Sequence, residues 1–403
     1  MGTHSKGVSR GMEVKPKIET FARIKVLGIG GSGTNAVNRI TQLGIKGVEF
    51  VSINTDAQAL HNNQADRKVH IGKSATKGLG SGMNPELGRQ AAEESVEELE
   101  EVIDNGDMVF ITCGLGGGTG SGAAPIVAEL AKNKGILTVG VVTKPFSFEG
   151  SKRKEVAETA YDNLKDKVDA IISIHNDRIL QIIDKKTSLV DAFKTVDEVL
   201  RQGIAGISDL ITTHGIVNAD FADIKSIMQD AGTALMGIGR ASGENRAQEA
   251  AKAAINSPLL EMTIDGAKGV LFNITGGSSL GMFEIDEAAK VITKSIDPDA
   301  KVKFGAVIDD TMGDEIRITV IATGFDESSK RPTPASIIMN EEPKKINNPV
   351  PKIYNNPIPV AEVRKPMFNP KPAPPIDRIE TPSMDETPED ELDIPAFIRK
   401  KMK

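Results

Sequence analysis

Two glycine-rich stretches contain the residues best suited to hold an anionic ligand. The first, Val26-Leu-Gly-Ile-Gly-Gly-Ser-Gly-Thr-Asn35, follows an apolar run and has the Gly-x-Gly-x-x-Gly spacing of a dinucleotide-binding turn. Its backbone N–H groups and the dipole of a helix that starts near Gly33 can face a phosphate. An acidic residue about twenty positions on, the usual ribose contact of such turns, is available in Glu49 or Asp56. Taken alone, this stretch fits either a nicotinamide-dependent oxidoreductase or an ordinary tight turn.

The second stretch, Gly114-Leu-Gly-Gly-Gly-Thr-Gly-Ser-Gly122, also lies after an apolar strand and before a helix. Six glycines in nine residues let backbone amides approach phosphate oxygens with no Cβ in the way, and Thr119 and Ser121 add hydroxyl donors. No Lys-Ser/Thr pair closes the run, so it is not a P-loop, and a metal ion must help to meet the ligand's charge. Two such loops at adjacent strand ends suit a triphosphate better than a dinucleotide.

The elements that must position these loops alternate in the manner of an α/β fold. Apolar, β-branched runs predict buried parallel strands at residues 24–29, 48–53, 108–113, 136–142 and 168–174. Asn84 and Pro85 begin a predicted helix that extends to Ile103, and a helix of some seven turns is predicted from Ser188 to Thr212. A second α/β block follows, with strands predicted at 233–237, 270–274, 302–308 and 316–322 and helices at 222–228, 244–255 and 286–293.

Length and composition set the domain count and exclude several classes of protein. A chain of 403 residues exceeds the size at which one core stops growing, about 250–300 residues, so we expect two domains and a tail. The net charge of -7 argues against nucleic acid as a partner, and the single cysteine, Cys113, cannot form an internal disulfide. No window approaches the roughly 18 apolar residues of a membrane span. We therefore expect a cytoplasmic protein whose membrane contact is indirect.

The second loop and five further motifs resemble the tubulin superfamily and, within it, the FtsZ family of bacterial cell-division GTPases. The superfamily signature is Gly116-Gly-Gly-Thr-Gly-Ser-Gly122. The resemblance extends from about Arg23 to Gly324 and resumes in the last fifteen residues. The other motifs occur in the expected order: Asn54-Thr55-Asp56-Ala57-Gln58, Gly78-Leu-Gly-Ser-Gly-Met-Asn-Pro85, Thr143-Lys-Pro-Phe-Ser-Phe-Glu-Gly150, Asn176-Asp-Arg178 and Asn218-Ala-Asp-Phe-Ala-Asp223.

This resemblance implies a site for GTP or GDP, with Mg²⁺ between the β- and γ-phosphates. It makes Glu149 the acid that binds the ribose and Arg153 an arginine beside the nucleotide. The phosphates are assigned to Gly30, Gly31 and Ser32 of the first loop and to Gly116, Gly117, Gly118, Thr119 and Gly120 of the second. No histidine or cysteine has a partner at zinc-ligand spacing, so no metal site made of protein side chains is predicted.

The predicted central helix supplies the base contacts that the resemblance implies. Phe193 packs on the guanine ring, unless it is simply a core residue, and Asp197 follows one turn later on the same face. A carboxylate there accepts hydrogen bonds from N1–H and the exocyclic amino group of guanine, a donor pair that adenine lacks. Asn35 and Asn176 complete the base and sugar contacts. His175, which replaces the proline common in relatives before Asn176, receives no role.

A separate acidic motif is expected to act on the nucleotide of a neighbouring subunit. From spacing alone, Asp220 and Asp223 are a helix cap and an ordinary surface acid. The resemblance instead implies that Asn218, Asp220 and Asp223 reach the nucleotide of the next subunit and polarise the attacking water. Catalysis then requires head-to-tail assembly, a heterologous contact that generates filaments.

The predicted architecture is α/β, a Rossmann-like GTP-binding domain joined by a long central helix to a second, smaller α/β domain. Fifteen of the 21 prolines fall between Pro332 and Pro395, which predicts a disordered linker. Its terminal peptide is expected to bind division proteins and membrane anchors at the mid-cell division site. The predicted segments are a flexible extension 1–22, the GTP-binding domain 23–187, the central helix 188–213, the second domain 214–325, the linker 326–388 and the peptide 389–403.

Overall fold

The computed structural model describes residues 22–325, apart from residue 46, residues 213–216 and residue 218. The predictions for the N-terminal extension before Ala22, for the proline-rich linker and for the partner-binding peptide lie outside the described residues. So does the predicted role of Asn218.

The described residues are built on a ten-stranded sheet of order β3-β2-β1-β4-β5-β6-β7-β10-β8-β9. Every neighbouring pair is parallel except the two that involve β10, which runs antiparallel to β7 and β8. The strands are β1 Ile24–Ile29, β2 Val48–Asn54, β3 Arg67–His70, β4 Met108–Gly114, β5 Leu137–Lys144, β6 Ala170–His175, β7 Gly232–Ser242, β8 Gly269–Gly276, β9 Lys301–Ile308 and β10 Glu315–Thr323.

Helices connect the parallel strands, as parallel pairing requires. They are α1 Gly30–Leu43, α2 Ala57–His61, α3 Lys73–Thr76, α4 Pro85–Glu94, α5 Val96–Ile103, α6 Thr119–Asn133, α7 Ser151–Lys165, α8 Asn176–Ile179, α9 Leu189–Thr212, α10 Phe221–Met228, α11 Arg246–Ile255 and α12 Met282–Thr293. Short 3₁₀ turns lie at Ser147–Glu149 and Asp310–Met312. None of the described helices is long and apolar enough to cross a membrane.

The register of β1 and β4 brings the two glycine loops together. Ile24 pairs with Met108 and Gly28 with Thr112, so both strands end at the same edge of the sheet. All six residues of β1 are buried, as expected for a parallel strand covered on both faces. The prediction that the loops follow adjacent strands is confirmed.

All nine predicted strands are present, but several details differ from the predictions. Strand β7 extends five residues beyond its predicted end, to Ser242, and α12 begins at Met282, four residues before its predicted start. The short strand β3 was not predicted, and α1 begins at Gly30 instead of near Gly33. The predicted helix from Pro85 to Ile103 is two helices, because Ser95 leaves the helical region (φ -114°, ψ 27°). The buried Ser95 hydroxyl accepts a hydrogen bond from the Gly72 backbone N–H. A contact with a segment distant in sequence is therefore made at the residue where the helix is interrupted.

The two halves of the sheet share a hydrophobic core through α9. This helix buries Val196, Ile204 and Ile207 in a cluster that also contains Val141 of β5 and Leu271 of β8. A second cluster lies within the first half and a third within the second half. The domain boundaries given above stay predictions.

Candidate functional site

A cavity of about 400 Å³ lies beside the ends of β4, β5 and β6 and the start of α9. Ligands of open parallel sheets bind outside the carboxyl ends of the strands, which is where this cavity lies. Seven of its lining residues are predicted site residues: Ser32, Asn35, Glu149, Arg153, Asn176, Phe193 and Asp197. Gly114, Leu115, Thr143 and Pro145 also line the cavity; they belong to two of the quoted motifs but were given no individual role. The remaining lining residues, Arg39 and Val190, were not predicted.

The two glycine loops pack against each other at one side of this cavity. Gly30 has φ +72°, and a Cβ built on it would lie 2.7 Å from the Gly120 backbone nitrogen. A Cβ on Gly114 would lie 2.6 Å from Ser32 Oγ. These glycines therefore permit a close approach of the two backbones that no side chain would allow.

Two other loop glycines leave room for a ligand. A Cβ on Gly31 would meet no atom within 4 Å, and one on Gly117 would meet only Gly114 O, at 3.8 Å. Gly30, Gly31 and Gly116 to Gly120 do not line the cavity itself, so their assignment to phosphate contacts stays a prediction.

The two hydroxyls of the second loop bind within the protein. Thr119 Oγ1 lies 2.7 Å from Thr55 Oγ1 and 2.9 Å from Ser81 Oγ. Ser121 Oγ accepts a hydrogen bond from the Gly116 N–H at 2.9 Å. Both hydroxyls therefore stabilise the conformation of the loop through contacts within the protein.

Two buried polar atoms at the cavity have no hydrogen-bond partner among the described residues: Arg153 Nε and Asn176 Oδ1. Glu149 holds Arg153 by an ion pair of 2.8 Å and accepts a hydrogen bond from the Phe146 N–H at 2.9 Å. Buried polar groups are nearly always paired, and leaving one unpaired costs about 1–3 kcal/mol. A polar ligand that reached either atom would remove this cost.

An aromatic side chain forms an apolar wall of the cavity. Phe193 at the start of α9 is 37% exposed, and its ring meets that of buried Phe146 edge to face with 5.5 Å between centroids. Val190 on the preceding turn is 60% exposed. The alternative that Phe193 is a core residue is therefore unsupported, because its ring keeps surface free for a planar ligand.

Asp197 of α9 forms an ion pair with Arg39 of α1 in the same cavity. Burial raises the pKa of the Asp197 carboxyl to about 6, although the Arg39 guanidinium acts against this rise. A weak sign of Arg39 was present in the sequence, because it lies four residues after Asn35 and so shares its face of α1. Its partner Asp197 is too distant in sequence for any local pattern to reveal the pair.

The acidic motif lies away from the cavity. Asp220 caps α10 by accepting a hydrogen bond from the Asp223 N–H at 2.7 Å, and its side chain is exposed. Asp223 forms an ion pair of 2.7 Å with Lys303 of β9. Neither acid lines the cavity, so within one molecule the structure does not bring them to the other predicted site residues.

The sheet, its crossing helix and the polar cavity together define an α/β protein of the tubulin-like class. The model of the tubulin/FtsZ family GTPase domain matches residues 23–184, and that of the FtsZ family C-terminal domain matches residues 232–326. The chain therefore belongs to the tubulin/FtsZ family, and it is a GTPase of that family.

Solved structures agree with this result. A structure described as an empty FtsZ dimer from M. jannaschii is 45% identical, with a TM-score of 0.73 over 76% of this chain and 89% of that one. CetZ1 from Haloferax volcanii, bound to GDP, is 23% identical, with a TM-score of 0.66 over 76% of this chain and 95% of that one. CetZ2 from the same organism, a protofilament with GTPγS, is 20% identical, with a TM-score of 0.64 over 76% and 94%.

These comparisons confirm the fold and the family but not every detail of the resemblance. The FtsZ structures in the comparison come from an archaeon, so the bacterial origin of this chain stays a prediction. The nicotinamide-dependent oxidoreductase is no longer favoured, because the GTPase domain accounts for both glycine loops.

Proposed function

We propose that this chain binds GTP in the cavity and hydrolyses it during head-to-tail assembly into filaments. The observation that carries the proposal is the pair of buried, unpartnered polar atoms, Arg153 Nε and Asn176 Oδ1. Arg153 and Asn176 line one cavity together with Phe193, which is 37% exposed, and Asp197. An aromatic ligand with polar groups on its edge and an anionic tail fits this arrangement.

The guanine ring is proposed to lie on Phe193 and to donate to Asp197, with Asn35 and Asn176 beside it. A desolvated carboxylate that loses a donor pair costs about 1–3 kcal/mol or more, which favours guanine over adenine. Glu149 would accept from the ribose hydroxyls while it holds Arg153. In this proposal the carboxylate of Asp197 selects the base and the carboxylate of Glu149 orients the sugar.

The phosphates are proposed to lie against the two glycine loops. Open space beside Gly31 and Gly117 supports this placement, and Ser32 lines the cavity between them. Among residues 22–325, outside the gaps given above, no three His, Cys, Asp or Glu side chains are grouped to hold a metal ion. Magnesium bound together with the nucleotide would supply charge stabilisation to the phosphates.

Hydrolysis is proposed to use acids from a second subunit. Asp220 is exposed and lies off the cavity, so it is available to a neighbour and not to its own nucleotide. With Asp223 and Asn218 it would polarise the attacking water, while the loops hold the triphosphate. A contact between two different surfaces does not close on itself and produces a polar filament.

At the level of the cell, the filament is proposed to form the division ring of a bacterium. Assembly would take place in the cytoplasm, at mid-cell on the inner face of the membrane. Residues 389–403 would bind division proteins and membrane anchors, so that contact with the membrane is indirect, and nucleic acid is not a proposed partner. Sequence resemblance alone supports these statements.

Right-angle light scattering and phosphate release after the addition of GTP and magnesium test the proposal. Specific activity per molecule should rise with protein concentration, because each active site needs two subunits. Constant specific activity down to the lowest concentration would exclude the shared site. Scattering without phosphate release would instead support a filament protein that binds GTP without hydrolysing it, and reduction of a nicotinamide cofactor would support an oxidoreductase.

A further inference from the structure

A small polar cluster joins the second half of the molecule to the residue that precedes Asn176. Ser173 Oγ donates a hydrogen bond of 2.6 Å to Glu261 Oε1, and His175 Nε2 lies 2.9 Å from the same oxygen. Ser173 and His175 belong to β6, whereas Glu261 lies between α11 and β8. We call these three residues the Ser173–His175–Glu261 cluster.

The segment that carries Glu261 is fixed in two hydrophobic cores. Leu259 packs in the cluster that surrounds α9 and includes residues of the first half, while Leu260 packs in the core of the second half. The Ser257 carbonyl accepts a hydrogen bond of 3.0 Å from the Leu260 N–H. Glu261 therefore contacts β6 from a segment that packs in the cores of both halves.

The charge on Glu261 is stabilised by β6. Burial alone would raise the pKa of this carboxyl, but the contacts of His175 and Ser173 outweigh burial and keep the pKa below its ordinary value. His175 Nε2 has no well-aligned hydrogen bond among the described residues. What joins the ring to the carboxylate is a close polar contact of 2.9 Å between Nε2 and Glu261 Oε1, which a neutral side-chain N–H can also make.

The cluster lies where strand pairing ends. His175 pairs with Lys144 in the last register pair of β5 and β6, and Asn176 begins α8 immediately afterwards. Asn176 is buried, with 5% of its surface exposed. It lines the cavity, and its buried Oδ1 has no hydrogen-bond partner among the described residues. Beyond this point strand pairing no longer holds the chain. Asn176 lies between two side-chain contacts, that of His175 with Glu261 before it and that of Asp177 with the Ser147 N–H after it.

We propose that the Ser173–His175–Glu261 cluster is a positioning contact through which residues 257–264 hold Asn176 in place for the nucleotide. The inference rests on the proposed function, because Asn176 must contact the nucleotide. Through this contact the second half of the molecule affects nucleotide affinity, and by reciprocity the nucleotide stabilises the contact.

A second contact between the halves provides a matched control. Lys132 of α6 lies 3.0 Å from Asp230 Oδ1, just before β7, and 3.7 Å from Asp169 Oδ1 at the start of β6. None of these residues lines the nucleotide cavity. Loss of this contact should lower stability without moving Asn176.

The test compares four full-length variants: His175→Ala, His175→Gln, Glu261→Ala and Lys132→Ala. The dissociation constant for fluorescently labelled GDP and the urea midpoint are measured for each. His175→Ala and Glu261→Ala should weaken GDP binding about fivefold or more, the lower end of typical coupling between two sites. His175→Gln, which keeps a donor, should restore most of the affinity, and Lys132→Ala should change only the urea midpoint.

The outcomes separate this inference from the proposed function. If the wild-type chain binds no GDP, the proposed function fails. If it binds GDP and both alanine variants bind equally well, the positioning contact is wrong while the proposed function stands. Equal losses of affinity in Lys132→Ala and His175→Ala would also overturn the inference, because a general loosening of the halves would explain both.

Hydrogen exchange gives a readout that a purely structural role would not change. In the wild type, GDP should slow amide exchange in residues 257–264, which do not touch the cavity. In Glu261→Ala that effect of GDP should disappear. Protection of 257–264 by GDP that is the same in both proteins would contradict the proposal.

Discussion

The proposed nucleotide cavity and the acidic pair of α10 differ in how completely their polar groups are paired. Arg153 and Asn176 line the cavity, and each has a buried polar atom with no partner among the described residues. Each acid of the pair has a partner, Asp220 as the cap of α10 and Asp223 with Lys303, while Asp220 stays exposed. The cavity residues thus keep unpaired polar atoms in the absence of a ligand. The acidic pair has its contacts within one molecule and needs a second subunit only for its proposed chemistry.

This difference predicts which changes alter chemistry and which alter folding. Asp220→Asn should reduce phosphate release by about 10²–10⁴-fold, the usual contribution of a group that assists proton transfer. Stability should be retained, because asparagine caps a helix about as well as aspartate. Phosphate release at saturating GTP and the urea midpoint check both statements.

Two further variants serve as controls for Asp220→Asn. Asp220→Ala should keep GTP binding, lose most turnover and also lose about 0.5–2 kcal/mol of stability with the cap. Asp286→Asn, which removes an exposed acid paired with Lys290 on α12, should leave turnover unchanged. Normal phosphate release by Asp220→Asn would remove this loop from the catalytic site.

Two glycine substitutions test which positions of the first loop serve packing and which leave room for the phosphates. Gly30→Ala should cost about 2–4 kcal/mol of stability, because the methyl group combines a positive φ with overpacking against Gly120. Gly31→Ala should fold normally and lose nucleotide affinity, because its methyl group enters open space that the phosphates would occupy. Unchanged GDP affinity in a folded Gly31→Ala protein would contradict the phosphate assignment.

Asp197→Asn tests base recognition. Loss of the carboxylate should weaken GDP binding by about 1–3 kcal/mol and reduce the preference for GDP over ADP, because an amide cannot accept from both guanine donors. Titration of the wild type and the variant with both nucleotides measures this preference. A preference that survives the substitution would place base recognition elsewhere.

The pKa of Asp197 predicts a smaller, pH-dependent effect. The carboxylate must be ionised to accept from guanine and has a pKa near 6 in the unliganded protein, so GDP affinity should fall about tenfold between pH 7 and pH 5. The stability contribution has the opposite sign: a raised pKa stabilises the fold at low pH, and this contribution is lost as the pH rises through 6. Asp197→Asn should show neither dependence, and a pH-independent affinity of the wild type would contradict the assignment.

Local patterns were sufficient to predict most of the fold. Buried β-branched runs located β1, β2, β4, β5 and β6, because parallel strands are apolar on both faces. Asn84 caps α4 through the Glu86 N–H as its residue type indicates. The break at Ser95 was missed because its cause, the Gly72 N–H, is distant in sequence.

The site was predicted where a loop motif or a helical spacing defines it. Seven predicted residues meet in one cavity, and Phe193 and Asp197 share a face of α9 as their spacing of four requires. Arg39 and Glu261 were missed, because each acquires its role from a partner that only the folded chain brings near. Pairings between distant segments are set by tertiary packing and leave little trace in local sequence.

The neighbouring side chains of Leu259 and Leu260 enter different hydrophobic cores, which limits how this segment can change. Deleting one residue before Leu259 would shift each leucine by one place and put the wrong side chain into each core. Insertions are tolerated best at exposed loop tips with small polar residues, and this connection has little freedom of that kind. A fluorescent domain inserted between Leu259 and Leu260 should therefore abolish folding, while the same insertion at exposed Gly243, where a Cβ would meet nothing within 4 Å, should be accepted.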